Sequence, residues 1–448
     1  MRAWLLSGAA RERFLLGLAG GFVLLAAAAL ALAPFARADV WDPAVAAWPW
    51  GLALTDLGFW AYPVLWLLCA TGTQRLVARR LPNHDPYLLP IVFALTGWGL
   101  ALIWRLAPGF GLRQTAWLVI ATGALLAVAL LPRDLRWLRR FRYTWLAAGL
   151  LLAALTFFIG VNPQGFGPDL WLGAFGVFLQ PTEVLKLLLV IFLAAYLADR
   201  REQLFPRAGA APAAPLNPFQ RLPYFLPLLT VWGFSMLIVL AQRDLGMGTL
   251  YFAAFLVMLY LASGQAAYVA AGGVLLALSG VVGYTLFDVV RIRVDAWLNP
   301  WADASGGSFQ IVQSLLAFAA GGLFGRGPGL GAPSLVPVAH SDFIFAALAE
   351  EWGLAGTLAA LGLLAALVFR GLHIALRAHG AFHQLLAAGL AALLGLQALL
   401  IAGGVIRVVP LTGVTLPFLS YGGSSLVVSF VIVGLLLKLS ADDGPRPL

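Results

Sequence analysis

The chain has 448 residues, 62% of them hydrophobic and only 10% charged, a balance that excludes a soluble domain of this size and marks a polytopic membrane protein. Its one cysteine, Cys69, lies in an apolar run, so disulfides and cysteine-ligated metal within the chain are excluded, and the five histidines show no metal-ligand spacing. The formal net charge of +9 suggests nucleic acid only if the positions of the arginines are ignored.

Apolar runs long enough to cross a bilayer fall at roughly 14–33, 54–73, 87–104, 114–131, 144–160, 183–198, 224–241, 247–263, 267–287, 343–368, 384–406 and 424–440. They predict an all-α membrane protein of about twelve transmembrane helices, and their continuity argues against a β-barrel. Arg11 and Arg13 before the first run, and Ala36-Arg37-Ala38 after it, resemble a signal peptide; the length of the run favours an uncleaved signal anchor. The Ala- and Pro-rich segment near 202–223 reads as a flexible linker. The segment 288–342, between the ninth and tenth runs, is far longer than the other loops, and long loops in compact proteins are usually functional or disordered. Its apolar stretch 311–323 predicts a half-buried or re-entrant helix.

The positive-inside rule orients the chain. With the N-terminus inside, most basic residues fall on inner segments, against Arg37, Arg105, Arg113, Arg243, Arg291, Arg293, Arg326 and Arg407 outside. Both termini are then cytoplasmic, the arginines face cytosol and anionic membrane lipids, and nucleic-acid binding is not expected.

Candidate functional residues follow in chain order. Glu183 and Lys186 in Gln180-Pro-Thr-Glu-Val-Leu-Lys186 lie three residues apart, on one helix face. Ionisable groups at membrane depth are costly and usually face a protein interior or a wet cavity. Lysine is also rare here: among 28 basic residues only Lys186 and Lys438 are lysines. Gln242-Arg243-Asp244-Leu-Gly246 is a short outer turn. Asp303 stands in the Gly-rich segment Asn299-Pro-Trp-Ala-Asp-Ala-Ser-Gly-Gly-Ser-Phe-Gln310, just before the apolar stretch that contains Ser314. A Gly run follows at 321–329, readable as a flexible connection, and then His340-Ser-Asp342, where Asp342 could cap the next helix. Pro410 to Ser425 carries prolines and glycines that break the helix between two spans; such backbone is tolerated at membrane depth where it lines a cavity.

Together these segments resemble the RodA/FtsW family of shape, elongation, division and sporulation proteins. Gln180 to Lys186 is similar to the family's Gln-Pro-Ser-Glu-x-x-Lys, and Asp244-Leu-Gly246 to its Gln-x-Asp-Leu-Gly. Asp303 to Gln310 resembles Asp-Pro-x-Gly-x-Gly-Tyr-Gln, and His340 to Phe345 resembles His-Thr-Asp-Phe-Ile-Phe. Pro410 to Ser425 resembles Pro-x-Thr-Gly-x-x-x-Pro-Phe-x-Ser-Tyr-Gly-Gly-Ser-Ser almost throughout. The sequence departs from the pattern at Ala304, Ser308 and Phe309, at Arg243 where proline is common, and at 167–172, which lacks an arginine that many members carry.

The resemblance implies a ten-helix core over 81–448, with additional N-terminal helices in 1–80. It implies a peptidoglycan glycosyltransferase of the bacterial cytoplasmic membrane that polymerises lipid II on the outer face. Asp303 would be the catalytic carboxylate. Glu183, Lys186, Gln180, Asp244, Gln310, Ser314, His340, Asp342, Ser420 and Ser424 would contact substrate. An α-linked donor and β-linked product need one inverting displacement, with a carboxylate as base for the attacking hydroxyl. The pyrophosphate leaving group needs charge stabilisation, from Lys186, an arginine or a bound divalent ion such as magnesium or manganese. The expected partners are lipid II, the nascent glycan strand and a class B penicillin-binding transpeptidase. The alternatives are a lipid-linked precursor flippase, a non-catalytic scaffold for a transpeptidase, or a polymerase of another lipid-linked sugar.

Overall fold

A computed structural model describes residues 7–36, 57–132, 135–162, 169–174, 177–204 and 218–441. Arg37, Asp56, the body of the inner linker and the segment 163–168 lie outside the described residues.

Each apolar run is a helix. They are α1 (Gly8–Ala36), α2 (Leu57–Arg80), α3 (Leu88–Leu106) and α4 (Pro108–Leu130), then the short α5 (Arg136–Arg140) and α6 (Arg142–Ile159). After them come α7 (Pro181–Leu204), α8 (Pro218–Ala241), α9 (Leu245–Ser263) and α10 (Ala266–Leu286). The chain closes with α11 (Asp288–Leu298), α12 (Phe309–Gly321), α13 (Ile344–Arg377), α14 (Ala381–Val405) and α15 (Gly423–Ala441). Among the described residues, 11 helices are long and apolar enough to span a membrane. The helix α2 is long enough but less apolar, with Thr71, Thr73, Gln74 and Arg75 in its second half. The exception to the all-α pattern is a small antiparallel hairpin, β1 (Leu172–Ala174) with β2 (Val177–Leu179).

The buried centre of the bundle is α3, α7, α14 and α15, while α6, α8 and α10 present apolar side chains outward, as helices facing lipid must. The N-terminal helices α1 and α2 pack on this core: α1 lies against α3, and α2 lies against α4. Trp66 of α2 donates its indole N–H to the carbonyl of Phe93 on α3 at 2.9 Å, and Phe22 of α1 meets Trp98 of α3 and Trp352 of α13.

The long outer segment is more ordered than its composition suggests. It holds α11, a 3-10 turn at Pro300–Asp303, α12 and a second 3-10 turn at Pro333–Leu335. The Gly run after α12 is a packing device rather than a slack connection. The helix α13 breaks at Gly353, whose φ of 68° admits glycine far more readily than other residues. The backbone of 322–327 fills the break: Leu354 N–H donates to the Gly322 carbonyl at 2.9 Å, and Gly327 N–H donates to the Glu351 carbonyl at 3.0 Å. A Cβ on Gly325 or Gly353 would run into the opposing backbone. Buried Arg105 secures the same junction, donating to Glu351 at 3.0 Å and to the Gly331 carbonyl at 3.0 Å, while the Glu350 carboxylate accepts from Ala332 N–H at 2.7 Å.

Candidate functional site

The site is built where the N-terminal end of α7 meets the broken segment before α15. Glu183 and Lys186 pair across one turn of α7, and both are almost fully buried, at 3% and 1% exposure. Lys186 Nζ also donates to Gln397 Oε1 of α14 at 2.7 Å. The Gln397 amide then donates to the Thr415 carbonyl at 2.8 Å, and the Thr415 and Ser425 hydroxyls meet at 2.7 Å. A buried ammonium is tolerated only with a counter-charge and filled hydrogen bonds, and Lys186 has both within the protein.

The broken segment runs through the bundle because other elements satisfy its backbone. Gln114 of α4 donates to the Ser420 carbonyl at 3.3 Å and accepts from Gly422 N–H at 3.3 Å. The Ser420 hydroxyl donates to the Ser341 carbonyl at 2.6 Å and accepts from Leu416 N–H at 2.9 Å. Tyr421 N–H donates to the His340 carbonyl at 2.9 Å, while the His340 ring stacks on Phe110. Ser424 accepts from Gln180 N–H at 2.8 Å, so the start of α7 and the start of α15 are tied together. Ser314 of α12 donates to the Val405 carbonyl at 3.0 Å.

Three charged groups gather above this floor, each half-buried. Asp244 caps α9, accepting from Met247 N–H at 3.0 Å, and accepts from the Gln180 amide at 3.3 Å. Arg293 of α11 donates to the Thr412 carbonyl at 3.4 Å. Asp342 accepts from the Ser341 hydroxyl at 3.2 Å. Asp342 is not the cap of α13: that position is Phe343, without a side-chain bond. Gly413 lies between Asp342 and Arg293; a Cβ there would sit 3.6 Å from the carboxylate and 3.8 Å from the guanidinium. Burial pushes Asp342 up to about 6, against the pull of the Ser341 bond and of Arg293. Burial likewise pushes Asp244 up to about 6, with the Glu183 charge adding to it. Burial lowers Arg293, while Asp244 and Asp342 hold it charged.

Asp303 lies apart from that cluster, exposed on the turn that follows α11. Its Oδ2 accepts from Gly307 N–H at 2.6 Å. Gly306 packs under the carboxylate so closely that any Cβ would collide with it. Arg293 on α11 and Asp303 on the 3-10 turn are neighbours in the chain, separated by the non-helical Asn299, φ −144° and ψ 78°. The departures from the family pattern are readable here. Ala304 has φ −63°, a value open to alanine and proline alike, and Ser308 has φ −96°, where glycine has no advantage. Arg243 has φ 57°, which no proline adopts, so this turn is built differently from one with proline there. Gln310 is half-buried at the start of α12.

Of the residues singled out from the sequence, the structure brings Gln180, Glu183, Lys186, Asp244, Asp342, Ser420 and Ser424 into one region with His340, and leaves Asp303 outside it on the α11 turn. Sequence reasoning passed over Arg293, Gln397 and Gln114. Gln397 carried a signal, as an amide in the middle of an apolar run; Arg293 carried none, being one of many arginines. Among the described residues no group of three or more His, Cys, Asp or Glu side chains is placed to hold a metal ion. Of the carboxylates here Glu183 pairs with Lys186, while Asp244 and Asp342 share Arg293.

The FtsW/RodA/SpoVE family model, described as a cell cycle protein, matches residues 105–443. The peptidoglycan glycosyltransferase RodA of Mycobacterium tuberculosis is 38% identical over 414 residues, covering 89% of this chain and 85% of that protein. Among solved structures, a chain from a study of how a peptidoglycan synthase complex coordinates polymerization and crosslinking matches with a TM-score of 0.65. It is 29% identical, over 80% of this chain and 98% of its own. The rod shape determining protein RodA of Thermus thermophilus matches with a TM-score of 0.56 and 26% identity, over 81% of this chain and 98% of its own.

Proposed function

The chain belongs to the FtsW/RodA/SpoVE family, and from that premise we infer that it is a multi-pass peptidoglycan glycosyltransferase that polymerises lipid II at the outer face of the cytoplasmic membrane. The observation that carries the reading is the extent of the likeness to a protein of that activity, most of both chains at 38% identity. The geometry is compatible with the chemistry. An inverting displacement at the anomeric carbon needs a base to take the proton of the attacking hydroxyl as the bond to pyrophosphate breaks. Asp303 is the group we assign to it: an exposed carboxylate, fixed through one oxygen by Gly307 N–H, with its second oxygen available to a hydroxyl.

The leaving pyrophosphate carries its own charge out and needs a cation rather than an acid. Lys186 is enclosed by Glu183 and Gln397, so we assign it to positioning. Arg293, half-buried on α11 just before the turn that bears Asp303, is the better candidate to face the phosphates. A divalent cation that accompanies the pyrophosphate would meet carboxylates at Asp303 and at Asp244 and Asp342, which share the single cation Arg293. We further infer cytoplasmic termini, from the arginine distribution, and a penicillin-binding transpeptidase as partner, from the likeness to a chain of a synthase complex.

The test is the purified protein given labelled lipid II, with and without a class B penicillin-binding transpeptidase. Glycan strands are expected from the wild type and not from Asp303→Ala. If neither condition yields polymer while lipid II is still bound, the chain is a scaffold or a carrier of the precursor and the transferase reading fails.

A further inference from the structure

A second polar site lies at the other end of the bundle. Roughly 24 Å of helix separates Leu354, just past the break in α13, from Arg370 near the other end of that helix. There the α2–α3 connection, the last turns of α13 and the end of α15 line an open pocket of about 120 Å³. Its walls carry Asn83, His84, Asp85, Arg370, His373, Arg377 and Ser440.

Most of these groups are held in place. Arg370 pairs with Asp85, its Nε donating at 2.9 Å, and its guanidinium lies 4.8 Å over the Tyr87 ring. Asp85 N–H donates to the Ser440 hydroxyl at 2.9 Å. The additional helix α1 braces the α2–α3 connection: Glu12 meets His84 at 2.8 Å, and Arg11 donates to the Tyr87 hydroxyl at 3.0 Å. The charges do not cancel. Asp85 is matched by Arg370 and Glu12 by His84, while Arg377, exposed at the rim, has no carboxylate partner among the described contacts. The result is a pocket of N–H donors with surplus positive charge at the end of α13 opposite its break.

We propose that this pocket binds a phosphate group, supplied by the headgroup of an anionic lipid of the inner leaflet or by free phosphate. Arginine, histidine and asparagine donors around a space of this size suit a tetrahedral oxyanion, and basic pockets between transmembrane helices on the cytoplasmic side are suited to anionic headgroups. The site is independent of the transferase assignment, since it shares no residue with the outer cluster.

The experiment uses the full chain, stripped of lipid in detergent and returned to phosphatidylcholine alone or doped with phosphatidylglycerol. Bound phosphatidylglycerol is counted by native mass spectrometry, with inorganic phosphate as competitor. The wild type should retain phosphatidylglycerol, and Arg377→Glu should weaken retention about tenfold. Arg79→Glu, an exposed charge at the same end of the bundle outside the pocket, should leave it unchanged. Phosphatidylglycerol retention that is lost in Arg377→Glu assigns the site to the lipid headgroup; inorganic phosphate bound by the wild type but not by Arg377→Glu, with phosphatidylglycerol displaced, assigns it to free phosphate. Equal retention by wild type and Arg377→Glu, or an equal loss in Arg79→Glu, overturns the proposal. Arg377 is exposed, so unchanged melting in phosphatidylcholine alone is expected and excludes misfolding as the cause.

Discussion

Lys186 of α7 donates to Gln397 of α14 at 2.7 Å, in the interior of the bundle and beside Glu183. That contact turns a helix-surface ion pair into a junction of three helices, because Gln397 passes the connection on to Thr415 and so to Ser425 of α15. Lys186→Ala would leave Glu183 charged and unpaired in the interior, a change worth about 3–5 kcal/mol of stability. The expected result is a strongly lowered melting temperature in detergent. Lys186→Met combined with Glu183→Gln should recover much of it, since both charges are then gone. Full stability of Lys186→Ala would mean that the pair is open to water.

Asp303 calls for the opposite pattern. Its side chain is exposed and bonds only within its own turn, so Asp303→Asn should leave melting unchanged. Loss of a general base should reduce lipid II polymerisation about 10²–10⁴-fold. A variant that polymerises at the wild-type rate would remove Asp303 from the mechanism.

Gly306 provides a subtler test of the same turn. A methyl group there would press on the Asp303 carboxylate and displace it, leaving its chemical identity intact. Gly306→Ala should therefore lower the polymerisation rate, by about 10²-fold if the carboxylate moves by about 1 Å, with little change in lipid II binding.

The half-buried acids predict a dependence on pH. Asp244 and Asp342 are each raised to about 6 in the folded protein, from an ordinary value of 3.8. A raised carboxyl binds its proton more tightly in the folded state than in the unfolded one, so its contribution favours folding at low pH and is lost as pH rises through about 6. Thermal stability should fall between about pH 4 and 6.5 from this source, and Asp342→Asn should flatten that slope, as read by intrinsic fluorescence melting across the range. A slope unchanged in Asp342→Asn would place the titration elsewhere.

The junction at Gly353 makes a further prediction about the outer segment. Gly353→Ala places a side chain against the backbone of 323–325 at a φ that alanine rarely adopts, so it should destabilise the fold by at least about 1–3 kcal/mol. Limited proteolysis should then reach the 322–331 segment; full protection would show that the break in α13 closes another way.

Much of this was legible in the chain. Each run of apolar residues became a helix close to its expected bounds, because in hydrocarbon a backbone must satisfy its own hydrogen bonds and a continuous apolar run has no other way to do so. Glu183 and Lys186 were readable as a pair because helical periodicity alone puts them on one face. The Asp303 turn, the broken segment and the family likeness were carried by short contiguous motifs, which survive without knowledge of the fold.

What the sequence determined by itself was therefore local: the spans, the motifs and the family. The tertiary structure alone decided which charges answer one another. It enclosed Lys186 with Gln397 from a distant helix, placed Arg293 beside Asp342 across Gly413, and held Asp303 outside that group. It also converted the Gly run from a connection into the packing of a broken helix. Arg293 and Arg377 are unremarkable among many arginines; only their positions distinguish them. Electrostatic partnership depends on separation in space and on exclusion of water, and neither quantity exists until helices far apart in the chain have packed.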